Sequence, residues 1–364
     1  MGGGVVGLSI GYYCASQGYS TAVVERHERF CEEASTHNSG VVHSGFNPEP
    51  GTLKAFLNIA GIKLLYEKSD EWKFGLRKVG TLFAAKNERQ AQKLGFLKRA
   101  GEQNGLKGLE ILDAKGVKMI EPAVEGVQAA LYSPEGGVID IMEYIARLKA
   151  HASMEGAILA AGREVTGISV SDEFPSVSLS TGERLKTRYV VNSAGLHSDD
   201  VAAMVGSIYT VYPCVGEYAY VTGPQSSLLS GMIYPVVEEG YPGLGVHLTR
   251  TFDGQLQVGP TSVYGEGKDQ VKWKRTPLNA FVEAVRTFLP EVDSDDVHEG
   301  WHGVRVKIVG PGSGRSFGDF VIEWDKHGFP VIHLVGIESP GFTSSLAIGS
   351  YVASMIRKKD DENR

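Results

Sequence analysis

Hydrophobic and polar positions along this chain change period repeatedly, and each change marks an element. After a run of glycines, Leu8, Ile10, Tyr12, Tyr13 and Ala15 fall in a helix-compatible stretch that closes at Gly18. Thr21-Ala22-Val23-Val24 is then a short apolar strand pattern ending on Glu25. Farther along, residues 80–85, 129–132, 218–222, 245–249 and 255–258 read as strands, and 277–289 as an amphipathic helix. Residues 188–195, Arg-Tyr-Val-Val-Asn-Ser-Ala-Gly, read as a strand running into a glycine turn. A strand over 331–335 meets a Ser-Pro-Gly turn, after which Leu346, Ile348, Val352 and Ile356 recur at near-helical spacing. The mixture predicts an α/β protein, and the lack of internal repeats or low-complexity linkers favours interleaved domains over two beads on a string.

Length and composition narrow the class. The 364 residues allow about two domains at roughly 100 to 200 residues each. With 42% hydrophobic and 22% charged residues, the chain is expected to fold as an ordinary globular protein. A net charge of −7, without a long basic run, argues against a nucleic-acid partner. Cys14, Cys31 and Cys214 are far apart and match neither a zinc spacing nor a disulfide framework, so no metal is expected and a reducing compartment fits. No stretch approaches the roughly 20 apolar residues of a membrane span, and the first residues lack a secretory pattern. The last eight residues, 357–364, are dense in charges of both signs without apolar positions and are expected to fray in solvent.

The chemistry begins at Gly2, Gly4 and Gly7, a G-x-G-x-x-G opening a helix. Glycine is needed there because a side chain would keep the backbone from a pyrophosphate, whose charge meets the free N–H groups at the helix start. Glu25 lies 18 residues beyond Gly7, near the offset at which a carboxylate accepts ribose hydroxyls, which disfavours a 2′-phosphorylated nucleotide. One feature departs from the pattern: the turn ordinarily follows a buried strand of five or six apolar residues, and only Met1 precedes Gly2. Losing three or four such side chains removes on the order of 5 to 10 kcal/mol, against about 5 to 15 kcal/mol for a whole domain. The sequence as written is therefore expected to lack its true N-terminus.

The downstream segments separate FAD from NAD. Residues 34–46, Ala-Ser-Thr-His-Asn-Ser-Gly-Val-Val-His-Ser-Gly-Phe, form a small polar stretch suited to wrapping a cofactor. Together with Pro50-Gly51-Thr52, Lys78-Val79-Gly80-Thr81, Asn192-Ser193-Ala194-Gly195, Gly216-Glu217-Tyr218, Gly245-Val246-His247-Leu248-Thr249, Gly259-Pro260 and Gly336–Ile348, the chain resembles the L-2-hydroxyglutarate dehydrogenase/oxidase branch of the D-amino-acid-oxidase-like FAD superfamily over nearly its whole length. The resemblance implies an FAD-binding, Rossmann-like domain from 1–74, 137–211 and 301–364. A second, sheet-rich α+β domain would come from 75–136 and 212–300. It implies FAD contacts at Gly2, Gly4, Val5, Val6, Gly7, Glu25, Arg26, Ser35, Thr36, His37, Asn38 and Ser39. Further contacts fall at Ala194 and Gly195, and at Ser339, Pro340, Gly341, Phe342 and Thr343, where a helix start would face the flavin pyrimidine.

The implied reaction is oxidation of a small 2-hydroxy acid, L-2-hydroxyglutarate to 2-oxoglutarate, with hydride passing to flavin N5. It needs a base, a cationic clamp and geometry. His43 and His247 are the candidate bases, and the residues do not choose between them. Arg305 and Lys307 alternate on a strand-like stretch and so share a face, a hint of clamps for two carboxylates. Glu217, Tyr218 and Thr249 resemble family positions near the substrate. Two residues depart from the family: His37 stands where Arg is frequent, and Val306 where Pro is frequent. The implied partners are a small carboxylate and an electron acceptor, a quinone, an electron carrier or oxygen. The expected place is the cytoplasm or the inner face of an energy-transducing membrane, with peripheral contact, or mitochondria in a eukaryote. An amine or amino-acid oxidase of the same superfamily, or a truncated non-catalytic remnant, are the alternative readings.

Overall fold

The computed structural model describes residues 1–170, 174–237 and 243–363. Its first helix, Val5–Ser16, buries Val5, Leu8, Ile10, Tyr12 and Cys14 on several sides at once, because it lies between the helices Ile141–Met154 and Ser345–Glu362. Glycine makes the closest of these approaches possible: a Cβ at Gly349 would stand 2.6 Å from the backbone of Ser9. A fourth helix, Leu53–Trp72, is started by Thr52, whose hydroxyl accepts from Ala55 N, and by Asp319, whose carboxylate accepts from the N–H groups of Leu53 and Lys54.

Beside these helices lie small parallel pairings. Ala22–Val24 runs parallel to Ile158–Ala160, and Val190–Asn192 parallel to Val331–Val335, which also pairs antiparallel with Val321–Trp324. Between the two groups, among the described residues, Met1 and Gly2 make the links: Gly2 N donates to Val24 O, the Met1 amine to Val191 O and Ser193 N to Met1 O. A separate meander, Val165–Ser169, Ser176–Leu179 and Arg184–Lys186, covers one flank.

The other half is a nine-stranded sheet with Tyr212–Val221 near one edge and Glu110–Asp113 at the other. Its core sits under the helix Leu278–Arg286, where Phe281, Val285 and Phe288 pack on Leu248, Leu256 and Val258. The strands expected from alternation appear here as Thr81–Ala85, Ala129–Ser133, His247–Arg250 and Leu256–Gly259. Tyr212–Val221 begins six residues earlier than its alternation suggests, because it is covered on both faces and carries no period of two.

Two expectations are corrected. The boundary drawn at residue 301 falls inside one continuous strand, Val297–Lys307, which pairs antiparallel with Tyr212–Val221 from end to end. The C-terminal residues do not fray from 357: the last helix runs to Glu362, and Asp360 accepts from the hydroxyls of Tyr19 (2.9 Å) and Tyr189 (2.6 Å) and pairs with Arg188. Pattern reading missed this because the anchors lie far away in sequence. Asp360→Ala should lower the stability measured by urea unfolding by about 1 to 3 kcal/mol, the usual range when a charge-assisted hydrogen-bond acceptor is lost.

Candidate active site

Two cavities meet where the helical half faces the large sheet. The larger, about 710 Å³, is lined by Gly2, Gly4, Glu25, Arg26, Ser35, Ala194 and Gly195 among others. It lies at the start of the helix Val5–Ser16, whose first N–H groups have no carbonyl within the helix to bond. Gly7 is outside the lining, and a Cβ there would stand 1.9 Å from the carbonyl oxygen of Gly2, so only glycine lets the turn fold against the helix. Glu25 is buried and holds the turn from the other side, accepting from Gly3 N at 2.6 Å and His27 N at 2.9 Å. Ser35 Oγ accepts from Val5 N at 3.0 Å.

The smaller cavity, about 140 Å³, is bounded by His43, His247, Arg305, Tyr218, Ser339 and Phe342 among others. His37 lines both cavities, and Asn38, Ser39 and Pro340 line the smaller. His43 follows the strand Val41–Val42. Its N–H donates to Thr343 Oγ1 (3.1 Å), that hydroxyl donates to Val41 O (3.2 Å), and the ring Nε2 lies 2.7 Å from Ser339 Oγ. His247 is buried with its ring stacked on Tyr234 at 3.9 Å between centroids, and its Nδ1 lies 3.1 Å from the carbonyl of Gly245. A carbonyl only accepts, so Nδ1 carries the proton and Nε2 the lone pair. Enclosure lowers the pKa of His43 to about 4, with Arg305 adding to the effect, and that of His247 to about 3. Both rings are therefore neutral at pH 7. Arg305 Nη1 donates to Thr261 O at 2.9 Å, and the guanidinium lies over Gly216, where a Cβ would come within 2.8 Å of it.

Other expected site residues take supporting positions. Lys307 is fully buried and its ammonium is held by Glu338 (2.8 Å) and Ser316 O (3.0 Å), outside the walls of either cavity. It shares a strand with Arg305, but its charge is already paired. Glu217 accepts from Thr276 N and Oγ1, and Thr249 is buried with its hydroxyl unpartnered; neither lines the cavities. Thr36 Oγ1 donates to Cys31 O (2.7 Å), and Arg26 spans Glu33 (2.8 Å) and Asp269 (3.1 Å). Val6 packs in the core, and Gly341 and Thr343 shape the turn behind the wall. Sequence reading gave no site role to Tyr234 or to Glu338, although Glu338 lies within the Gly336–Ile348 stretch, and it missed Thr261 and residues 268–271 of the cavity wall, which reach the site from loops without a motif.

A glycine cradle at a helix start, an acid beside it and a second cavity walled by neutral histidines fit a dinucleotide whose redox-active end sits apart from its phosphates. Residues 1–355 match the model of the DAO family, the FAD-dependent oxidoreductases. The chain belongs to that family. It is 30% identical to the mitochondrial L-2-hydroxyglutarate dehydrogenase of Nematostella vectensis, over 97% of this chain and 88% of the relative. It is 29% identical to L-2-hydroxyglutarate dehydrogenase of Indibacter alkaliphilus, over 99% and 98%. The solved structure of L-α-glycerophosphate oxidase from Mycoplasma pneumoniae with FAD bound superposes with a TM-score of 0.86 at 26% identity, covering 97% of this chain and 92% of that one. This FAD-dependent oxidoreductase thus shares its whole architecture with flavin enzymes, and its cofactor is FAD. Among the described residues, no helix is long and apolar enough to cross a membrane.

Two outcomes follow for the oxidoreductase. Gly7→Ala should abolish FAD retention on gel filtration, since the new methyl would overlap the Gly2 carbonyl. Acid should unfold the protein through its histidines. An unfolded imidazole binds a proton near 6.5, whereas folded His43 and His247 stay neutral to about 4 and about 3, so stability falls as pH drops below 6.5. In melting curves from pH 7 to 5, His247→Asn should flatten that loss; an unchanged slope would contradict the assignment.

Proposed function

We propose that this oxidoreductase converts a small 2-hydroxy acid to the 2-oxo acid, with L-2-hydroxyglutarate as its substrate. The reading is carried by one arrangement: an arginine fork and two neutral imidazoles facing the same small cavity. The names of the two L-2-hydroxyglutarate dehydrogenases, which align along nearly the whole chain, support the substrate.

When bound, FAD supplies the hydride acceptor; everything else is done by the chain. Arg305 takes the carboxylate next to the carbinol through two parallel N–H groups, and the hydrogen bond from its Nη1 to Thr261 O fixes the fork. His43 is the base. It is only half-buried and borders the cavity, and its Nε2 lies 2.7 Å from Ser339 Oγ; with that hydroxyl accepting from Nε2–H, the lone pair on Nδ1 takes the hydroxyl proton. His247, less accessible and pinned by Gly245 and Tyr234, orients the substrate through Nε2. Tyr218, buried and shifted upward by that burial, stays a neutral phenol at the wall. The segments 1–74, 137–211 and the part of 301–364 beyond the strand hold the cofactor, and the large sheet holds substrate. The electrons then leave for a quinone, a protein carrier or oxygen.

The test is spectroscopic. FAD-loaded protein mixed anaerobically with L-2-hydroxyglutarate should lose its yellow colour, and sn-glycerol 3-phosphate, L-lactate and glycine should act far more slowly. Glycerol 3-phosphate deserves its place in the panel because of the structural match to the glycerophosphate oxidase; faster bleaching by it would replace the proposed substrate. His43→Gln should slow flavin reduction by about 10²- to 10⁴-fold, the usual share of a general base. Because a base works unprotonated, the wild-type reduction rate should stay level from pH 8 down to about 5 and fall only toward the His43 value of about 4. A fall centred near 6.5 would remove His43 from the role.

A further inference from the structure

The larger cavity is not walled by the nucleotide-binding segments alone. Lys268, Asp269, Gln270 and Val271, which follow the strand Val263–Tyr264 of the nine-stranded sheet, form part of its lining. They stand at the tip of a hairpin closed by mutual backbone hydrogen bonds between Glu266 and Lys272, 2.8 Å each way. Just past that bridge, Trp273 packs on His302 of the strand Val297–Lys307, 4.5 Å between ring centroids. The hairpin base is thus fixed to the large sheet, while its tip crosses to the other half of the molecule.

At the tip the contacts are ionic. The Lys268 ammonium pairs with Asp199 and, at 3.0 Å, with Asp200, both in the helix Ser198–Ala203. The Asp269 carboxylate lies 3.1 Å from Arg26 Nη1 and 3.5 Å from His197 Nε2. These partners are themselves joined, His197 to Asp200 at 3.0 Å and Arg26 to Glu33 at 2.8 Å. Arg26 follows the strand Ala22–Val24, and His197 follows Val190–Asn192, so the tip holds both sides of the cavity mouth.

We propose that residues 266–272 are a strap across the ADP half of bound FAD, and that this charge network is the latch that sets how fast FAD leaves. A lone exposed ion pair holds little, but charges that share partners are ordered together, and the Lys268 and Asp199 side chains are only 22% and 12% exposed. Asp269, at 81%, is open to screening. The latch should therefore loosen as the Debye length shrinks from about 10 Å at 0.1 M salt to about 3 Å at 1 M. The inference needs only that the cofactor is FAD; it does not depend on which substrate is oxidised.

The test follows flavin, not turnover. FAD-loaded protein is incubated for timed intervals at low and high sodium chloride, desalted rapidly, and the flavin still bound is read by absorbance. Wild-type release should quicken severalfold with salt. Lys268→Gln/Asp269→Asn should release FAD about tenfold faster at low salt and respond little to more. Lys268→Glu should release faster as well, and adding Asp200→Lys should restore retention, which separates a broken latch from a misfolded chain. Equal release by wild type and double variant, a salt response that survives in the double variant, or failure of the charge swap to restore retention would each overturn the strap.

Discussion

Four segments far apart in sequence can reach one cavity only because backbone meets backbone without side chains between them. Gly7 closes on the Gly2 carbonyl, Gly349 on Ser9, and Gly303 on the carbonyl of His37, where an added Cβ would stand 1.9 Å away. The first contact sets the cofactor turn at the helix start. The second locks the C-terminal helix against that helix, and the third presses the strand bearing Arg305 onto the polar segment that leads to His43. Interiors are packed too tightly to absorb even one extra methyl at such points without moving an element. The separation between Arg305 and His43, the fork and the base of the proposed reaction, is thus inherited from three hydrogen-sized gaps.

With the segments converged, chemistry follows from dryness. A histidine in water is partly protonated near neutral pH, and a protonated ring cannot accept a hydroxyl proton. Here the enclosing walls, and the positive charge of Arg305 beside them, favour the neutral form of both rings. In the proposed mechanism the arginine that attracts the carboxylate therefore also keeps the base ready, so that one charge would serve binding and proton transfer together. A negative substrate arriving at Arg305 would offset part of its effect on His43, which lets the imidazolium form as the proton is transferred.

Much of this could be read from residues alone, and the parts that could not share a cause. The strand Val331–Val335 and the helix after the glycine turn were legible because local period and turn chemistry decide them. The family motifs brought His43 and His247 into view, strand alternation and the chemistry of a guanidinium brought Arg305, and all three border one cavity. Strand ends and the division near residue 301 were illegible, since a strand covered on both faces shows no alternation and its length is set by its partner. The charged C-terminus looked solvated because Tyr19 and Tyr189, which hold Asp360, are more than 170 residues distant. The wall formed by 268–271 carries no motif at all.

Lys307 shows where pattern stops being informative. Alternation places it on the Arg305 face of the strand, and that much is a property of any β backbone. Whether its charge is available depends on what else is buried within reach. Glu338 and Lys54 lie there, the first 2.8 Å from the Lys307 ammonium and 3.4 Å from that of Lys54. Desolvating two ammonium groups demands a carboxylate, and a carboxylate so engaged cannot release one of them to a ligand without leaving a charge uncompensated in the interior. The three charges are therefore a fixed brace behind the turn that carries Ser339, whose hydroxyl lies 2.7 Å from His43 Nε2.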